Sequence, residues 1–293
     1  MQKITPFLWF DQAAGEAAQF YTSVFAEAKV TQTTRLDNTP SGTTEIVSIE
    51  LFGQEFTLMS AGPLFTFNPS ISFLVACRTR DEVDGIWEQL FPGGTPLMPL
   101  DAYPFSARYG WIQDRYGLSW QIMFMGERPI TQRIIPTLMF VGAVAGKAED
   151  AINFYTAVFR NAKVSEIFRY GKDLAPEREG TIAHAAFTLE GQEFAAMDSA
   201  SAHNFSFNEA ISLVVHCLTQ EEIDHYWEQL SFDPKAEQCG WLKDQYGVSW
   251  QIVPSVLPEM LQDPDARKVA RVTEAFLQMK KFDLAALQRA YED

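Results

Sequence analysis

Alternation of apolar and polar residues is the strongest pattern in the chain. Residues 118–124 put Leu118, Trp120, Ile122 and Phe124 on one side of an extended strand, and Ser119, Gln121 and Met123 on the other. Residues 248–253 do the same, with Val248, Trp250 and Ile252 opposite Ser249, Gln251 and Val253. Over 71–77, Ile71, Phe73, Val75 and Cys77 oppose Ser72, Leu74 and Ala76. Over 211–217, Ile211, Leu213, Val215 and Cys217 oppose Ser212, Val214 and His216. Each strand thus has one wholly apolar face, which belongs under helices, and one mixed face. The period becomes helical over 12–25, where Ala14, Ala17, Ala18, Tyr21 and Phe25 recur at helical spacing. Residues 80–90 read as a second, shorter helix. Residues 3–10 read as a strand, 45–51 and 54–60 as a hairpin around Gly53, and 108–113 with 118–124 as a hairpin around Asp114–Gly117. The stretch 91–109 reads as a long loop. The predicted order is β-α-β-β-β-α-β-β, an α+β module.

The module is written twice. GWIQDRYGLSWQI (110–122) returns as GWLKDQYGVSWQI (240–252), and FYTSVF (20–25) as FYTAVF (154–159). GQEF (53–56) returns at 191–194, FTFNPSIS (65–72) as FSFNEAIS (205–212), and WEQL (87–90) at 227–230. The spacing between partners drifts only across loops, as expected of two copies of one fold. This divides the chain into modules at 1–128 and 129–256 and an extension at 257–293. The extension has helical runs near 265–279 and 283–291. Its stripe of Val269, Val272, Ala275, Phe276 and Met279 suits packing over the modules or on a partner chain.

Composition narrows the function. A chain of 293 residues with 47% hydrophobic residues has enough material for two cores. A net charge of -15 argues against nucleic acid, because polyanions are repelled. No apolar run approaches the roughly 18–20 residues of a membrane helix. The opening MQKITPFLWF enters a strand with no signal-peptide pattern, so a cytoplasmic protein is expected. Cys77, Cys217 and Cys239 are odd in number with no CxxC spacing, which suits a reducing compartment. Monomer with intrachain module pairing and homodimer both fit.

The mixed faces, with Leu74, Met123, Val214 and Val253 among polar residues, read as the insides of ligand cups. Gln121 and Gln251, beside Ser119 and Ser249, are the leading contacts, since an amide both donates and accepts. Phe67–Asn68 and Phe207–Asn208 stand at a strand entry, where they either stabilise a turn or line the cup rim. His184 and His216 lie on mixed faces. They are either hydrogen-bonded beside the core or meet in the second cup as an acid/base or metal pair. Asp114 and Asp244, three residues before Gly, read as turn-stabilising, and Trp120 and Trp250 as core.

The pattern ITPFLWF…AAQFYTSVF…GQEF…FNPSIS…DEVDGIWEQL…GWIQDRYGLSWQI resembles the PhnB-like branch of the vicinal oxygen chelate superfamily. The GW-x-x-D-x-Y/F-G-x-x-W-Q signature occurs twice and the resemblance spans both copies. That superfamily also holds glyoxalase I, extradiol dioxygenases and the bleomycin and fosfomycin resistance proteins, and some members are labelled 3-demethylubiquinone-9 3-methyltransferase. The resemblance implies tandem βαβββ modules whose curved mixed sheets form cups, followed here by C-terminal helices. In metal-using members, His on the first strand and Glu on the last hold a divalent ion. On the cup-facing parity assigned to the first strands stand Ile4, Pro6 and Leu8, then Ile134, Pro136 and Leu138. The Glu positions carry Gln121 and Gln251. A neutral amide holds a divalent ion poorly, so no metal or other cofactor is expected. No glycine-rich loop follows a strand in the manner that holds S-adenosylmethionine. A small-molecule-binding protein ranks first. An enzyme (lyase, dioxygenase or methyltransferase-like) using a displaced metal or acid/base residues ranks second, and a structural interaction module third.

Overall fold

A computed structural model describes residues 2–39 and 42–292. The first copy runs β1 (Ile4–Phe10), α1 (Ala14–Val24), β2 (Lys29–Thr39), β3 (Gly42–Leu51), β4 (Gln54–Ser60), β5 (Ile71–Cys77), α2 (Arg80–Leu90), β6 (Thr95–Tyr103), β7 (Ser106–Gln113) and β8 (Ser119–Phe124). The second runs β9 (Ile134–Phe140), α3 (Ala148–Val158), β10 (Lys163–Arg169), β11 (Ile182–Leu189), β12 (Gln192–Asp198), β13 (Ile211–Cys217), α4 (Gln220–Leu230), β14 (Trp241–Lys243) and β15 (Ser249–Pro254). Three helices close the chain: α5 (Leu257–Met260), α6 (Ala266–Leu277) and α7 (Leu284–Glu292). Each copy is therefore two βαβββ units, the last shortened by one strand.

The sheets do not follow the copies. One has the order β14-β15-β13-β1-β4-β3-β2 and the other β10-β11-β12-β9-β5-β8-β7-β6. Each combines strands of both copies, joined by the antiparallel pairs β1–β13 and β5–β9. The sequence repeat left the pairing partners open, and the strands pair across the copies. Three strands went unread. β2 and β10 are polar, exposed edge strands, and β6 occupies most of the expected loop 91–109, its prolines confined to an edge where a missing N–H is tolerated.

The apolar faces of the two sheets look toward each other. Phe56 on one meets Phe73 on the other edge-to-face at 5.3 Å. The small face of α1, with Ala14, Ala17 and Ala18 fully buried, lets that helix approach β3 and β4 closely. The mixed faces point outward as two cups.

Two reciprocal devices bind the halves. Buried Asp114, in the β7–β8 turn, accepts hydrogen bonds from the Trp120 indole (2.9 Å), the Tyr21 hydroxyl of α1 (2.8 Å) and the backbone N–H groups of Tyr116 and Leu118. Asp244 does the same with Trp250, Tyr155, Tyr246 and Val248. Burial pushes both carboxyls above the ordinary range, against the pull of four donors each. Because α1 belongs to one sheet and the β7–β8 turn to the other, the Tyr21–Asp114 bond is also a tie between sheets.

The second device is the repeated GQEF. The Gln54 amide accepts from Ile134 N–H (2.7 Å) and donates to its carbonyl (2.8 Å), and Gln192 does the same to Ile4. Lys3–Glu222 and Arg133–Glu82 ion pairs flank the same axis. The C-terminal segment covers the edge beyond β14: Cys239 and Gly240 donate N–H to the carbonyls of Met279 and Lys280, and Phe282 is buried.

Asp114→Ala or Asp244→Ala leaves four donors without their acceptor and is expected to cost about 3–5 kcal/mol. Gln54→Ala or Gln192→Ala orphans one backbone N–H and is expected to cost about 1–3 kcal/mol. Urea denaturation of the full chain ranks the four variants.

Candidate functional site

The first strand sets the inner surface of each cup, and its parity is the reverse of the one expected. Ile4, Leu8 and Phe10 join the core beneath the helices, as do Ile134 and Leu138. Register settles the rest: Thr5 lies opposite Val214 and Phe7 opposite Ser212, so Thr5, Phe7 and Trp9 face the cup. In the other sheet Ile135, Thr137 and Met139 do so, Ile135 opposite Leu74 and Thr137 opposite Ser72. Alternation could not reveal this, because Ile4 through Leu8 are buried on both faces.

The eight-stranded cup is filled by its own side chains. Tyr109 of β7 is buried with Leu74, Ala76 and Met123, and Met98, Tyr103 and Trp111 pack around them. The Tyr109 hydroxyl donates to Gln121 Oε1 (2.7 Å), and Gln121 Nε2 donates to Ser72 Oγ (2.8 Å). Trp111 Nε1 donates to Ser119 Oγ (2.7 Å). Both ends of the Gln121 amide are therefore occupied. Burial raises the Tyr109 phenol far above its usual range, which keeps it a donor.

The seven-stranded cup differs at each of these points. Cys239 stands where the first copy has Tyr109, in a turn at φ 51° that directs its N–H to the C-terminal segment. Gln251 Nε2 still donates to Ser212 Oγ (2.9 Å), but no described residue hydrogen-bonds to Gln251 Oε1. Trp241 does not reach Ser249. It leans across the sheet onto Phe7 (5.6 Å) and Trp9 (6.0 Å), both edge-to-face, and Phe65 continues the row at 5.1 Å from Trp9. Ser249 Oγ is left buried with no partner. His216 Nε2 lies 3.1 Å from Thr5 Oγ1, while His216 Nδ1 has no partner. Burial, helped by the Lys3 charge, lowers the His216 pKa to about 4.

The remaining sequence candidates are placed elsewhere. His184 is on β11 of the eight-stranded sheet, beside Phe168, and His216 is on β13 of the seven-stranded one, so they do not meet in one cup. Asn68 accepts from Ser70 N–H and donates to the Ser206 carbonyl (3.0 Å). Asn208 accepts from Ala210 N–H and donates to the Thr66 carbonyl (2.9 Å). Both stabilise turns and cross-link the copies. Phe67 and Phe207 are buried in the core, on Phe10 (4.9 Å) and Phe140 (5.2 Å). Sequence reasoning missed Tyr109, Trp111, Trp241, Phe7 and Trp9. The Tyr-to-Cys change just before the repeated GW was the available signal.

The matched family model is described as 3-demethylubiquinone-9 3-methyltransferase and covers residues 2–123 and 132–253. The chain belongs to this family. A Bacillus cereus protein titled putative 3-demethylubiquinone-9 3-methyltransferase, PhnB protein, shares 41% identity over 42% of this chain and 99% of its own, with a TM-score of 0.40. Glyoxalase I from Zea mays matches at 12% identity over 89% of this chain and 95% of its own, TM-score 0.56, which shows a common fold. A putative dioxygenase from Bacillus subtilis matches at 11% identity over 85% and 83%, TM-score 0.50. No curated protein matches the chain.

The residues do not fit the superfamily's divalent ion. The last-strand positions are neutral amides, the cup side of the first strands offers no imidazole or carboxylate, and no three His, Cys, Asp or Glu side chains gather among the described residues. Nor do they fit a nucleotide-like cofactor at a strand-to-helix turn. Among the described residues, the one such turn with two positive-φ glycines, Gly142 and Gly146, has its Gly146 and Ala148 N–H groups bound by Asp198 at 2.8 and 3.0 Å.

His216 sets a pH dependence. Its pKa is about 4 in the fold against 6.5 in an exposed chain, so between those values the unfolded state binds more protons. The His216 contribution to stability is present in full above pH 6.5 and is lost as pH drops toward 4. His184, also lowered by burial, acts in the same direction. Thermal denaturation from pH 4 to 7 is expected to show this slope, and His216→Gln to flatten part of it.

Proposed function

We propose that this chain is a small-molecule-binding protein whose working site is the cup on the seven-stranded sheet. One observation carries the reading. That cup presents Ser249 Oγ, Gln251 Oε1 and His216 Nδ1 without partners, whereas the corresponding Ser119 and Gln121 in the other cup are saturated by Trp111 and Tyr109. Ser249 Oγ and His216 Nδ1 are buried and so costly without partners, and a ligand that supplies the missing bonds recovers that cost. The surroundings are apolar and aromatic, with Phe7, Trp9, Trp241 and Val214 about a few polar groups, the usual make-up of a small-molecule pocket. The ligand is gripped by both copies, since Phe7 and Trp9 come from the first and Gln251 and Trp241 from the second.

A second reading, acid/base catalysis, is favoured by the free Nδ1 of His216. A ring with a pKa of about 4 is unprotonated at neutral pH but is a weak base there, which ranks binding ahead. The methyl transfer named in the family description finds no support in the fit tests above.

Titration of the full chain with small neutral aromatic compounds is expected to quench part of its tryptophan fluorescence and to raise Tm. Val253→Trp, which fills the cup floor, is expected to weaken binding more than tenfold, while Gln121→Leu in the other cup leaves it unchanged. Binding that survives Val253→Trp would refute the placement. Turnover lost in His216→Ala would instead favour catalysis.

A further inference from the structure

The filled cup contains an internal ligand. Tyr109 brings a phenol over Leu74, Ala76 and Met123, with its hydroxyl donating to Gln121 Oε1 at 2.7 Å. In the other cup the same floor is built from Val214, His216 and Val253, and Gln251 stands where Gln121 does. Two of those three side chains are smaller than their counterparts, the tyrosine is replaced by Cys239, and the amide oxygen has lost its donor. What is missing is a planar ring bearing one hydroxyl.

Resting on the reading of this cup as the ligand site, we propose that its ligand class is phenols, bound with the hydroxyl donating to Gln251 Oε1 and the ring over Val214 and Val253. His216 replaces Ala76 beside the ring, and its unpartnered Nδ1 is placed to hydrogen-bond a second polar group on the ligand. The indole of Trp241 now leans across this space. It gives way by turning to the position that Trp111 holds in the first copy, where the indole N–H donates to a serine hydroxyl at 2.7 Å. Ser249 Oγ, buried and unpaired, waits at that position. Ligand entry thus replaces the edge-to-face contacts of Trp241 with Phe7 and Trp9 by two hydrogen bonds, one to Gln251 and one to Ser249.

The test is calorimetry on the full chain with 4-methylphenol and 4-methylanisole, which have similar shape but only one of which donates. The wild-type chain is expected to bind the phenol about tenfold more tightly. Gln251→Leu should erase the difference while the anisole still binds. Tyr109→Ala, which removes the internal phenol, should open a second 4-methylphenol site and raise the stoichiometry from one to two. Equal affinity for both probes in the wild-type chain, or a preference that persists in Gln251→Leu, overturns the phenol class but leaves the cup as a binding site. If neither these probes nor other neutral aromatics bind, the reading of the cup itself falls.

Discussion

Two carboxylates, Asp114 and Asp244, lie where water does not reach them, each surrounded by an indole N–H, a tyrosine hydroxyl and two backbone amides. Removing a charge from water costs several kcal/mol, and only a full set of donors makes that tolerable. The requirement reaches far along the chain. It calls for a tryptophan six residues on, a glycine to close the turn, and a tyrosine about ninety residues back on the helix of the opposite sheet. Those demands account for most of the repeated signature and for the tyrosine of FYTSVF and FYTAVF. The motif that identifies the family is thus, in this chain, chiefly a device for holding two sheets together. Only its first tryptophan and its final glutamine face a cup.

From that constraint the rest of the architecture follows. The carboxylate, its tryptophan and its tyrosine occupy the apolar side of the sheets, so each cup must form on the outer side. The reciprocal contacts of Gln54 with Ile134 and Gln192 with Ile4 join the first strand of one copy to the other copy's second hairpin. Strand pairing across the copies then places Phe7 and Trp9 beside Gln251 and Trp241.

Much of this was legible in the sequence, and the exceptions have physical causes. The faces of β5, β8, β13 and β15 could be read because one side of each is purely apolar. β1 could not, because burial of Thr5 and Phe7 removes the contrast on which parity depends. β2 and β10 carry polar residues on both sides because each is a sheet edge. The repeat announced two copies but not which strands would pair, since identical elements are equally good partners within a copy and across copies. The cup glutamines were found, but their opposite states were not, because these depend on a tyrosine and a tryptophan whose orientations no pattern of polarity encodes. Asn68 and Asn208 were ambiguous for a related reason: the same amide can close a turn or meet a ligand, and only the carbonyls of Ser206 and Thr66 decide between them.

The shortening of the second copy has a further meaning. In a pair of identical chains, any change to the strand before GW would appear in both cups at once; either both would be plugged or neither. Covalent fusion removes that obligation. One cup can be packed solid by Tyr109 and serve as ballast for the fold, while its twin keeps dangling valences that a self-sufficient core would not tolerate. Asymmetry between two halves of common pattern is thus open to one fused chain and closed to a pair of identical ones.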